Sequence, residues 1–201
     1  MKKNLLKYIL AIIVLFLLTI FYLSIIGLET NKFNYHIKDK IYQIDQNLDV
    51  ELKKIKLTLD PLNFKIIVKT IGPDIFYKKK RLKLEYIQSR ISIISLIKKK
   101  VVSSDLKLST KSVSLKDLVS FFRATTNKPE LFILESSIKN GMVIANIDLN
   151  LDENGKIKKD YIITVSLKDG KIDLFRKYNF EKINFFLNVD KNIYNFEEIS
   201  F

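Results

Sequence analysis

Residues 138–174 read IKNGMVIANIDLNLDENGKIKKDYIITVSLKDGKIDL, and this stretch decides the fold. Ile147, Leu149 and Leu151 alternate with Asn146, Asp148 and Asn150, and Val165 and Leu167 alternate with Thr164, Ser166 and Lys168. A side-chain period of two belongs to a strand with one apolar and one wet face, the pattern of an antiparallel sheet. Three of the five glycines stand in Asn140-Gly141, Asn154-Gly155 and Asp169-Gly170. These dipeptides tolerate positive φ, so the reading expects a tight hairpin at each. Strands of about ten residues would then lie between them, longer than the usual five or six. The C-terminal half reads as a meander.

Upstream the same alternation recurs. Ile55, Leu57 and Leu59 interleave with Lys54, Lys56 and Thr58, and Leu82, Leu84 and Tyr86 with Arg81, Lys83 and Glu85. Two segments carry a helical period instead. Phe33, Ile37, Ile41, Ile44 and Leu48 predict an amphipathic helix over 30–48. Ser114-Leu115-Lys116-Asp117 resembles a capping box, and Leu115, Leu118, Val119 and Phe122 share one face of a helix over 114–123, with Pro129 after its end. Segment 89–100, with its run RISIISLIKKK, fits strand or helix alike. No linker rich in Pro, Gly or Ser divides the chain, and no repeat is plain. The fold class expected is mainly β: an N-terminal transmembrane helix, then a long antiparallel, curved, groove-like sheet of nine or ten strands with one or two short helices. Ile199-Ser200-Phe201 still alternates like a strand, as a piece of a longer protein would, or an edge that takes a partner.

At the other end, Tyr8 to Gly27 reads YILAIIVLFLLTIFYLSIIG without a charge. Twenty helical residues span roughly 30 Å, the thickness of a bilayer's hydrocarbon core. Tyr8 and Tyr22 stand near the two ends, where aromatic rings favour the interface. The rival is a cleaved signal peptide, against which stand the length of the apolar run and the lack of an A-x-A-like site after it. Lys2, Lys3 and Lys7 precede the helix without an acid, whereas Glu29, Asp39 and Asp45 offset Lys32, Lys38 and Lys40 behind it. The positive-inside rule then places the N-terminus in the cytoplasm and the rest outside. In a bacterium with two membranes this means a single pass through the inner membrane, with the bulk in the periplasm. The organisation expected is 1–28 as cytoplasmic start and anchor, 29–48 as a helical spacer, and 49–201 as one β-rich domain.

Charge and chemistry narrow the function. The net charge is +13. Its cations are scattered along the chain beside isoleucine and asparagine, which argues against nucleic acid as partner. Cysteine is absent, which removes disulfides, thiolate nucleophiles and Cys-ligated zinc. His36 is the only histidine, so Ser-His-Asp chemistry and a His-rich metal site have no material, and it reads as a surface residue. Asp148, Asp152 and Glu153 flank a turn without the spacing of a calcium loop. No Gly-rich phosphate cradle occurs. No catalytic residue, metal ligand or cofactor is expected, and the chain reads as non-enzymatic.

Lys78-Lys79-Lys80-Arg81 follows Gly72-Pro73 and two aromatics. The bland reading is a solvated hairpin tip; the sharper one is contact with anionic headgroups by Lys78, Lys79, Lys80 and Arg81. Lys98-Lys99-Lys100 invites the same pair. A long sheet with one oily side must cover that side with helices, a second sheet or a ligand. Two amphipathic helices are few for so many strands. Either the sheet closes into a sandwich or a concave face stays open and receives acyl chains. The residues that would line it are Ile55, Leu57, Leu59, Leu82, Leu84, Ile147, Leu149, Val165 and Leu167.

A short start, one membrane helix, a helical spacer and then amphipathic strands resembles the N-terminal part of the AsmA-like envelope proteins. The likeness is closest from Leu52 to Phe122, in LKKIKLTLDPLNFKIIV and then RLKLEYIQSRISIISLIKKKVVSSDLKLSTKSVSLKDL. It includes Ser92-Ile-Ile-Ser95-Leu96-Ile97, which is similar to the family's SLSLL segment before a new strand, and Ile138 through Leu174 resembles its later strand units. Lys98 and Lys99 stand where members often carry glycine, and members run several times longer. The resemblance implies an elongated β-structure with a hydrophobic groove, held in the inner membrane, that binds or guides phospholipid for outer-membrane maintenance. Its implied partners are phospholipid, the bilayer and other envelope proteins. The alternative is an anchored interaction module docking through a strand edge, and a second rival is a polyanion held by the lysine-rich face.

Overall fold

Alternation through most of the chain after Gly27 makes sheet. The computed structural model describes residues 2–98, 103–126, 128–152, 158, 160–175, 177–191 and 193–201. Helix α1 (Lys2–Ile25) holds the apolar run and ends where Ile26 and Gly27 both donate to the Tyr22 carbonyl. Its segment Lys7–Ile25 has a mean hydropathy of 2.7 and none of it is buried in protein. It is long and apolar enough to cross a membrane, a property that an anchor and a signal sequence share. Gly27 (φ +73°) makes the exit possible: a Cβ there would come 2.5 Å from the Leu57 carbonyl oxygen. Only glycine combines that φ with so close an approach.

After Gly27 come β1 (Leu28–Thr30), α2 (Asn34–Ile44), β2 (Leu48–Glu51), β3 (Lys54–Asp60), β4 (Lys65–Ile71), β5 (Asp74–Tyr77), β6 (Lys80–Ser92) and α3 (Ile93–Ile97). Then follow β7 (Ser103–Thr110), β8 (Val113–Ser114), α4 (Leu115–Thr126), α5 (Pro129–Ser137), β9 (Ile138–Asn150), β10 (Ile162–Leu174), β11 (Tyr178–Asp190) and β12 (Ile193–Ser200). The strands join one antiparallel sheet in the order β1-β3-β4-β6-β7-β9-β10-β11-β12, with β2 and β5 beside the start of β6 and β8 beside β9. The sheet is curved and stays open, with β1 and β12 at its two edges. Mainly β with an N-terminal apolar helix is the architecture.

Several details differ from the expectation. There are twelve strands among the described residues rather than nine or ten, because β1, β2, β5 and β8 are too short to show a period. The spacer helix over 30–48 shrinks to α2: Thr30 pairs in β1, Leu48 pairs in β2, and residues 31–33 and 45–47 form the turns between. Segment 89–100 divides: β6 runs to Ser92 and α3 follows, while residues 99–102 lie outside the described ones. Pro129 opens a second helix, α5, where it stands in the first turn and lacks only a donor that no helix would use.

Two of the three expected hairpins are bulges inside strands of 13 residues. Asn140-Gly141 lies in β9 and Asp169-Gly170 in β10, where Met142 pairs with Lys168 but Asn140 pairs with Lys171, so β10 carries one extra residue. A Cβ on Gly141 (φ +137°) would come 3.2 Å from the Gly170 Cα, so the two glycines let the bulged strands pinch together. Bulges and hairpins need the same positive φ, and the dipeptide alone does not separate them. Asn154-Gly155 lies outside the described residues, within the connection from β9 to β10.

Candidate functional site

Pairing registers carry the side-chain alternation of each strand across the sheet. One transverse row on the face that α4 and α5 cover at one end reads Ile55, Thr70, Ile87, Leu108, Ile147, Ile163, Val189 from β3 to β11. The next reads Leu28, Leu57, Val68, Ser89, Leu106, Leu149. A third, nearer the helices, aligns Ala145, Val165 and Leu187. On the opposite side the corresponding row is Glu29, Lys56, Lys69, Gln88, Lys107, Asp148, Ile162, Asp190. One face is therefore mainly apolar from β1 to β11 and the other mainly polar. The hydroxyls within the apolar face are satisfied: Thr70 Oγ1 donates to the Ile87 carbonyl (3.2 Å) and accepts from Ile87 N–H (2.9 Å), and Ser89 and Ser103 share a hydrogen bond of 2.5 Å.

All nine residues expected to line a groove fall on this one face, in two environments. Leu82, Leu84 and Leu167 are buried with Val113, Val143 and the α4 residues Leu118 and Phe121. They form a small true core at one end of the sheet. Ile55 is fully buried as well. Leu57, Leu59, Ile147, Leu149 and Val165 are only half-buried. Side chains enclosed between two sheets would lose nearly all exposure, so this part of the apolar face is open. Helix α4 packs against β6 and β9, and α5 against β9 and β10, both at the end where β6 and β9 begin. Arg123 and Glu135 tie the two helices by an ion pair. The trough is lidded at one end and bare toward the other.

The four expected headgroup contacts gather beside the lidded end. Lys78 (φ +44°) and Lys79 (φ +69°) form the two-residue turn between β5 and β6, with the positive φ of a primed hairpin turn although neither is Asn or Gly. Arg81 donates to Asp74 at 2.6 Å, and that guanidinium holds the Asp74 carboxyl below its ordinary range. Lys79, Lys80, Arg81 and Lys83 line a cleft of about 340 Å³ together with Ser112, Ser114, Asp117 and Ser120 at the start of α4. Lys79 and Lys80 make no ion pair among the described residues, whereas Arg81 is committed to Asp74. Lys98 is exposed after α3, and Lys99 and Lys100 lie outside the described residues.

The remaining candidates have ordinary surroundings. His36 is exposed on α2 and meets the Tyr35 ring edge-on at 6.0 Å. Asp148 pairs with Lys107 at 2.6 Å on the wet face, and Glu153 lies outside the described residues. Sequence reasoning missed α5 and the apolar-face residues of β4 and β7. In β4, KIIVKTI gives no clean alternation because Ile66 and Ile67 point to opposite faces. The fold and site define an open, antiparallel sheet carrying an apolar helix long enough to span a membrane. No family model, curated protein or solved structure matches the chain.

Proposed function

We propose that this chain is an inner-membrane-anchored, non-enzymatic protein whose open sheet face binds or guides phospholipid acyl chains on the periplasmic side, as the AsmA-like resemblance implies. One observation carries the reading: the registers of eight strands, from β1 to β11 along the sheet, align their apolar positions on one face that the helices lid at one end only. Bare hydrocarbon-lined surface in water is unfavourable by about 25 cal/mol per Å², and acyl chains are the ligand that relieves it without hydrogen bonds. Lys79 and Lys80 beside the lidded end supply cations for a phosphate headgroup. The test is lipid analysis of the purified full chain. Phospholipid should co-purify and be lost from Leu149→Asp, whose carboxylate would sit among acyl chains; lipid-free protein, or equal lipid in both, would overturn the reading.

A second reading has its own support. Strand β12 is exposed along its whole length and its outer edge is unpaired, as a docking strand would be. An anchored interaction module would use this edge, and Leu149→Asp on β9, three strands away, would leave its partner binding unchanged.

A further inference from the structure

The end of the trough away from α4 carries an unusual surface. The turn from β3 to β4 exposes Leu62 by 90% and Phe64 by 64%, and α3 beside it exposes Ile94 by 55% and Ile97 by 77%. The two segments are joined, because Ile93 N–H donates to the Phe64 carbonyl at 2.9 Å. The turn is built to hold its shape. Asn63 donates from its backbone (3.2 Å) and its side chain (2.8 Å) to the Asp60 carboxylate, and Phe64 sits at φ +50°, a strained conformation for a bulky residue. Single exposed apolar residues are common, but four large ones on two tied loops form a patch that needs a partner.

The register of β1 identifies that partner. Leu28 pairs with Leu57 and Thr30 with Ile55, so the chain leaves α1 opposite Thr58, three residues short of the turn at Pro61. At about 3.3 Å per residue the apolar tip lies within roughly 10 Å of the point where the helix ends. Helix α1 packs against β3 itself. Lys98, exposed where α3 ends, is a cation suited to anionic headgroups beside a submerged apolar patch.

We propose that Leu62, Phe64, Ile94 and Ile97 form an interfacial wedge that dips into the same bilayer that α1 spans. The proposal rests on the reading of α1 as an anchor. It fixes the sheet on two points, so that the bare end of the trough meets the membrane and the lidded end stands away from it. Along β6, Lys80 lies some 40 Å from Ser92 at the same rise per residue, which puts the lysine hairpin well clear of that bilayer.

The chain has no tryptophan, so single tryptophans report position without background. Leu62→Trp, Ile97→Trp, Phe16→Trp in α1 and Phe175→Trp in the turn after β10 are each placed in the full chain. The proteins are reconstituted in phosphatidylcholine–phosphatidylglycerol vesicles with and without brominated acyl chains. Residues 62 and 97 should be quenched at least half as strongly as residue 16, while residue 175 is not quenched. Quenching at 16 with none at 62 and 97, or quenching at 175 as strong as at 62, overturns the wedge and leaves the anchor standing. Absence of quenching at 16 overturns the anchor and the wedge with it, and lipid co-purification from the same samples reports separately on the trough.

Discussion

Truncating two leucines on the same sheet face should have very different consequences. Leu84 is 2% exposed and packs with Leu118 and Phe121 beneath α4, whereas Leu149, also in the apolar face, is only half-buried. Leu84→Ala removes buried carbon and leaves a closed cavity, so it should cost about 3 kcal/mol. Leu149→Ala loses only part of the transfer term, because solvent or lipid fills the gap, and should cost about 1 kcal/mol. For a chain of this size the corresponding drops in Tm are roughly 6–12 °C and 2–4 °C. Thermal unfolding of the full chain in nanodiscs, followed by far-ultraviolet circular dichroism, separates the two. If Leu149→Ala falls as far as Leu84→Ala, the apolar face is closed in solution and the open-sheet reasoning fails.

Gly27→Ala should lower stability by roughly 1–3 kcal/mol through strain at positive φ and the clash with the Leu57 carbonyl, seen as a lower Tm in the same assay. Asp74 has a folded-state pKa below its unfolded value because Arg81 donates to it, so its contribution is present above the ordinary carboxylate pKa near 3.8 and is lost as pH falls through the lower folded value. A Tm titration from neutral pH to about pH 3 should therefore show a smaller acid decline for Asp74→Asn than for the parent chain; equal declines would mean the ion pair is not formed. Asp105 is buried and accepts from Arg90 Nε at 2.7 Å and from Ser104 Oγ at 3.0 Å. Asp105→Ala should destabilise by about 2 kcal/mol, less than a fully buried pair because Arg90 keeps access to water, and urea unfolding reads it.

The long strands and the apolar helix were legible because each repeats one period over many residues. Ile147-Asp148-Leu149 and Leu82-Lys83-Leu84 state their faces outright, and the registers only had to bring those faces together. What was not legible depends on partners distant in sequence. Asn140-Gly141 and Asp169-Gly170 have the chemistry of a turn, yet Gly141 is required by the approach of Gly170 from β10, and Gly170 by the approach of Ile183 from β11. Strand β1 has three residues and exists because β3 offers an edge. The division of the oily face into a lidded and an open part also escaped, since α5 shows no clear amphipathic stripe and nothing local says which end α4 covers. The apolar tip was hidden for a simpler reason: Leu62 and Phe64 are two residues in a short turn, and only the pairing of β1 places them beside the end of the apolar helix α1.

The most direct test compares two positions on one strand. A photoreactive benzoylphenylalanine at Leu149 faces the trough, and one at Asn146 faces the wet side. Irradiated in native membranes, the Leu149 probe should capture phospholipid and the Asn146 probe should not. Capture of protein alone at Leu149, or equal lipid capture at both positions, would contradict an acyl chain lying in the concave face.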